Sequence, residues 1–153
     1  MLAPSWLSGA LTYEKGLADG GSPVLDQLAL ADFLARGELD RHLRRTRLRL
    51  RERRSTLLAA VAQAVPNARA IGVPAGLYVL ISLPDAVDEG ALVSAAAVAG
   101  VGVEALSWHR ANSRGAAGDP GLVLGYGNLS LRAIERGVDL LGRALARTLA
   151  TWT

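Results

Sequence analysis

A change of hydrophobic period around Pro66 limits what this chain can fold into more than any other feature. Upstream, Leu39, Leu43, Leu50, Leu57 and Val61 recur at spacings of four and seven between about Glu38 and Ala64, which is one stripe of a long α-helix. Proline lacks the N–H that would continue that helix, so Pro66 ends it. Downstream, Leu77 to Leu83 is a short apolar run with Tyr78, Val79 and Ile81, bounded by Gly76 and Pro84, the pattern of a buried strand. A long helix followed by short apolar strands fits neither an all-helical bundle nor a sandwich. It requires helices laid over a small sheet.

The remaining punctuation fills in the order. Leu2-Ala3-Pro4 reads as the end of a strand running into a helix over Ser5 to Leu17, and Gly20-Gly21 stops that helix. Ser22 caps and Pro23 opens a second helix to about Arg36, closed by Gly37. Residues 88 to 99 read as a helix opened by Asp88 and closed by Gly100, then Val101 to Leu106 as a strand, 107 to 120 as a polar Gly-rich loop, and Gly121 to Tyr126 as a strand. Ser130 caps a last helix to about Leu149, with Ile134, Val138, Leu141 and Leu145 on its inner face. A further short strand is expected near Ala70 to Val73. The expected class is α+β: a small mixed or antiparallel sheet of three to four strands, covered by helices and preceded by a long connecting helix.

Composition removes several function classes. The chain has 153 residues, half of them apolar, enough for one domain with a real core. It has no cysteine, so disulfides and thiolate metal sites are excluded. His42 and His109 alone cannot make a zinc site, and no metal is expected. The longest apolar stretch, Ala91 to Val101, is broken by Ser94 and falls far short of the roughly 20 residues a spanning helix needs. No basic segment precedes an apolar run at the start, so no secretory leader is read there. A cytoplasmic location without a membrane partner is the expectation, and heavy Arg, Ala, Gly, Leu and Val use fits a GC-rich bacterial genome.

Charge is concentrated. There is one lysine, Lys15, against sixteen arginines, and eight of these lie between Arg41 and Arg54. Arginine pairs with phosphate oxygens, so Arg44, Arg47 and Arg51 are candidate nucleic-acid contacts. The alternative is a solvated helix face with Glu38, Asp40 and Glu52 as partners. The run lacks base-stacking aromatics and an accompanying recognition helix. Gly125-Tyr126-Gly127-Asn128-Leu129-Ser130 stands between a strand and a helix, where a phosphate can sit, but the third glycine of a dinucleotide fingerprint is missing. A turn requiring positive φ is the reading adopted. Ser107, His109 and Asp119 can be written as a nucleophile, base and orienter, yet no nucleophile elbow is present. Asp85, Asp88 and Glu89 read as favourable charges at a helix start. Lys15 lies mid-helix, where an exposed side chain is expected, whereas a catalytic lysine must be desolvated.

Four segments taken together carry a family resemblance: Gly21 to Gln27, Asp40 to Arg54, Ala75 to Val79 and Gly121 to Leu129. Their order and spacing resemble the C-terminal third of MocR-type regulators of the GntR family. Those proteins join a winged helix-turn-helix DNA-binding domain to a domain like fold-type-I aminotransferases that use pyridoxal 5'-phosphate. The resemblance implies that the Schiff-base lysine lies just upstream of residues like Leu2-Ala3-Pro4, with the cofactor's phosphate and ring contacts upstream too and the DNA-reading domain further upstream. It thus implies no catalytic or cofactor-binding residue here and no transaminase activity by the chain alone. It also implies a division into junction helices (1–37), the connecting helix (38–66) and an aminotransferase-like small C-terminal domain (67–153). The expected partners are the large domain of the parent or a homodimer partner, with DNA reached only through the upstream domain. Many such enzymes carry a carboxylate-gripping arginine on the strand before the last helix. The matching position here is Val123, which argues against amino-acid transamination and is compatible with a regulator sensing the cofactor or a different amine. The loop Ser107, Trp108, His109 and Arg110 is the candidate ligand-side segment. Two other readings stay open: a stand-alone nucleic-acid-binding or interaction module using the Arg-rich helix 41–54, and the small part of a split aminotransferase. Leu7, Leu11 and Leu17 are candidates for an exposed, self-associating patch.

Overall fold

Alternation along two short strands builds the core. In β2 (Tyr78–Ser82) and β4 (Gly121–Gly125), Val79, Ile81, Leu122 and Leu124 are buried while Tyr78 and Gly125 are exposed, the two-residue period of a sheet covered on one side. The structure is a computed structural model describing residues 3–20, 23–65, 67–73, 76–110 and 118–150. The chain divides into two compact units, Met1–Arg45 and Thr46–Thr153.

The second unit holds a four-stranded, fully antiparallel sheet in the order β1-β2-β4-β3, with β1 spanning Arg69–Ile71 and β3 Glu104–Ala105. The expected extra strand is therefore present and pairs Arg69 with Ser82 and Ile71 with Leu80. One sheet face is covered. Leu57 and Val61 of α3 (Glu38–Ala64), Leu92 and Ala96 of α4 (Glu89–Val98), and Ile134, Val138, Leu141 and Leu145 of α5 (Leu131–Ala150) join Val79, Ile81, Leu122 and Leu124 in one cluster. The inner face read for the last helix is the observed one. Gly142 of α5 is required where that helix meets the end of α3, because a Cβ there would collide with the Ala64 carbonyl oxygen.

The ends of α4 explain a departure from the expected strand over Val101 to Leu106. Asp88 caps the start, accepting from the Ala91 N–H at 3.0 Å. At the other end Gly100 adopts φ 82°, its N–H bonds the Ala97 carbonyl at 2.9 Å, and the Val101 N–H bonds the Ala96 carbonyl at 2.9 Å. This is a Schellman closure. It takes the Val101 amide for the helix, so the ladder shortens to Glu104–Ala105, and Leu106–His109 then turns into a single 3-10 segment.

The first unit contains α1 (Ser5–Asp19), α2 (Val24–Ala35) and the first turns of α3, and neither α1 nor α2 has a buried residue. Gly20 (φ 61°) and Gly37 (φ 67°) end α1 and α2, as expected of left-handed helix closures. Ser22, read as a cap, lies outside the described residues, as does Pro66. Of the stripe read on α3, only Leu57 and Val61 are buried.

Candidate functional site

The uncovered sheet face carries the candidate site. Leu80, Val123 and Glu104 stand in one row across three strands, since Leu80 pairs with Val123 and Val123 with Glu104. Ladder pairing between β3 and β4 stops there, so Gly102 and Val103 part from Leu124 and Gly125. The result is an open groove of about 700 Å³ whose walls include Tyr78, Gly102, Glu104, Val123, Gly125 and Asn128.

The glycines beside this groove are needed for a reason other than the one expected. Among the described residues, Gly20, Gly37, Gly72, Gly76 and Gly100 have positive φ, and Gly125 and Gly127 do not. A Cβ on Gly125 would lie 3.3 Å from Tyr78 Cε1, and one on Gly127 would lie 3.2 Å from Leu77 Cβ. Close approach of the neighbouring strand, not turn geometry, selects glycine here. Arg53 of α3 donates to the Gly127 carbonyl, and the buried Tyr126 hydroxyl donates to the Gly76 carbonyl at 2.8 Å. The start of α5 is capped from within the chain, with Ser130 Oγ accepting from the Ala133 N–H at 3.2 Å.

The segment Ser107 to Arg110 follows β3 directly, and its bonds differ from a triad. His109 Nε2 lies 2.7 Å from Glu104 Oε2. Asp119 uses its backbone carbonyl to accept from Arg110 Nη2 at 2.5 Å. The Ser107 N–H donates to Glu89 Oε2 at 3.2 Å, and the Gly121 N–H donates to Glu89 Oε1 at 2.5 Å. Among the described residues no bond joins Ser107, His109 and Asp119 into a relay; His109 takes its carboxylate partner from β3. Trp108 is largely exposed. Sequence reasoning missed both Glu104 and Glu89 in these roles. The available signal for Glu104 was a lone acid within the apolar run Val101 to Leu106.

Asp88 caps α4 as its sequence position suggested, Asp85 is exposed, and Glu89 instead bridges two backbone amides. On α3, Arg44, Arg47 and Arg51 are exposed. Glu38 pairs with Arg41, while no ion pair engages Arg44, Arg47, Arg51, Asp40 or Glu52 among the described residues. Lys15 is 55% exposed and paired with Asp19 one turn along α1. A lysine so hydrated and ion-paired does not fit an aldehyde cofactor, whose amine partner must be desolvated and flanked by orienting groups. No group of three metal-binding side chains occurs among the described residues. No described helix is long and apolar enough to cross a membrane.

No family model matches the chain. Over 127 residues it is 31% identical to the uncharacterized HTH-type transcriptional regulator YhdI of Bacillus subtilis (strain 168), covering 82% of this chain and 26% of that protein. It superimposes on LysN, the α-aminoadipate aminotransferase of Thermus thermophilus crystallised with N-(5'-phosphopyridoxyl)-L-leucine. The TM-score is 0.76 at 30% identity, over 98% of this chain and 38% of that one. Kynurenine aminotransferase of Pyrococcus horikoshii shares the fold, with a TM-score of 0.77 at 18% identity, over 95% of this chain and 35% of that one. The chain thus has an aminotransferase-like fold, is similar to part of an HTH-type regulator, and spans 26% and 38% of the lengths of YhdI and LysN.

Proposed function

We propose that this aminotransferase-like chain, similar to part of an HTH-type transcriptional regulator, serves as the small C-terminal domain of a MocR-type regulator of the GntR family. On this reading residues 1–37 are junction helices, 38–66 the connecting helix and 67–153 the small domain. The observation that carries it is the double match. The same residues are similar to a regulator in sequence and to aminotransferases in architecture, the combination that MocR-type proteins join in one chain. The parent uses pyridoxal 5'-phosphate, and the amine that holds it, together with the DNA-reading domain, lies outside these 153 residues. The chain's own contribution is a wall of the ligand site, with Ser107 to Arg110 on the ligand side. Its partner is the large domain of the parent or a second copy. The character of Lys15 supports the absence of a covalent cofactor, since that side chain is exposed and paired with Asp19. An absorbance titration of the purified chain with pyridoxal 5'-phosphate tests this. The expected spectrum is that of the free cofactor, unchanged by Lys15→Ala. A protein-bound band near the visible edge that disappears in Lys15→Ala overturns the reading.

A second reading, a nucleic-acid-binding module, is favoured by a different observation. Arg44, Arg47 and Arg51 are exposed and lack ion-pair partners among the described residues, so their guanidinium groups are available to phosphate oxygens. Its readout is the salt dependence of binding to duplex DNA.

A further inference from the structure

We propose that the groove on the open sheet face binds a small organic ammonium ion, with Glu104 as its counter-ion and no subsite for a carboxylate. Glu104 is the one charged side chain among the described residues that line the groove. Its carboxylate is half occupied: His109 Nε2 contacts Oε2 at 2.7 Å, and Oε1 has no partner among the described residues. The Glu104 side chain is 57% exposed, so a ligand reaches that oxygen without displacing protein.

The neighbouring positions complete the recognition. Val123, beside Glu104 in the register, presents an apolar side chain and no cation, so an alkyl chain can lie across it and a carboxylate finds no counter-charge. Two strand spacings, about 10 Å in all, separate β3 from β2, where Tyr78 is 61% exposed at the far wall. Its ring offers a face for apolar contact or for a second cation. The guanidinium that bonds a wall residue, that of Arg53, is engaged by the Gly127 carbonyl. Where pairing between β3 and β4 stops, the backbone of Gly102, Val103 and Gly125 supplies polar groups at the groove floor. Charge therefore selects the head group, and the Leu80–Val123 row accommodates the chain. The inference needs only the second unit's geometry and stands apart from the regulator reading.

Amide chemical-shift titration of the full chain with hexylammonium chloride, and in parallel with sodium hexanoate at matched ionic strength, tests it. Hexylammonium is expected to shift the amides of Gly102, Glu104, Val123 and Gly125 saturably, and hexanoate to bind at least tenfold more weakly. Glu104→Gln should weaken hexylammonium at least tenfold, and Glu104→Lys should invert the preference toward hexanoate. His109→Ala leaves the Glu104 charge in place and should retain binding. Equal shifts with both probes, no shift with either, or unchanged affinity in Glu104→Gln overturns the proposal. The β2–β4 ladder amides in the same spectra report the fold separately.

Discussion

Glu89 shows how far one side chain's role can lie from its sequence position. It sits in the first turn of α4, where a carboxylate is favourable against the helix dipole. In the structure its two oxygens accept from the Ser107 and Gly121 amides. It therefore ties the helix start to the beginning of the 3-10 segment and to the first residue of β4. Both bonds are charge-assisted and the side chain is half-buried, so removing it leaves two amides without their acceptor. Glu89→Ala is expected to cost about 2–3 kcal/mol, discounted toward the lower value for partial exposure, and Glu89→Gln less, since one acceptor oxygen remains. Urea unfolding followed by circular dichroism measures this. A loss below about 0.5 kcal/mol, the range of ordinary surface substitutions, would rule the clamp out.

At the scale of elements, α3 carries two different faces along its length. Its C-terminal half finds a core through Leu57 and Val61, whereas Leu43 is exposed and Leu39 only partly buried. A helical stripe in sequence shows which side of a helix is apolar, and its partner must come from elsewhere. Arg44, Arg47 and Arg51 share a helical row by their spacing of three and four. If α3 contacts a DNA backbone, reversing these three charges to glutamate should flatten the plot of log affinity against log salt by about 2.7 units of slope, from 0.9 per phosphate contact. A gel shift across a salt series reads this, and a slope unchanged in the triple variant excludes α3 as the contact.

At the scale of the molecule, apolar surface without cover is the dominant feature of the first unit. Leu7 and Leu11 are half-buried and Leu17 is exposed, so the patch read from the sequence is only partly present in α1. The greater exposure is on α2, where Leu25 is 82% exposed and Val24, Leu28 and Leu34 are also in water. Exposed apolar area of this kind drives association. The purified chain is expected to show a weight-average mass that rises with concentration in sedimentation equilibrium, and Leu25→Glu with Leu28→Glu to return it toward the 16.0 kDa monomer. A concentration-independent monomer mass in the wild-type chain would contradict this.

The sequence by itself determined the element order, the inner face of α5, the caps of α4 and α5 and the α+β class, because those follow from periodicity and local hydrogen bonding within a few residues. It also carried the resemblance to regulators with an aminotransferase-like domain. Only the tertiary structure decided that β3 is two residues long, that Gly125 and Gly127 exist for strand proximity, that Glu89 bridges two distant amides, and that His109 pairs with Glu104. Each of these depends on which segments meet across the sheet, and contacts made over tens of residues leave no periodic trace in the chain.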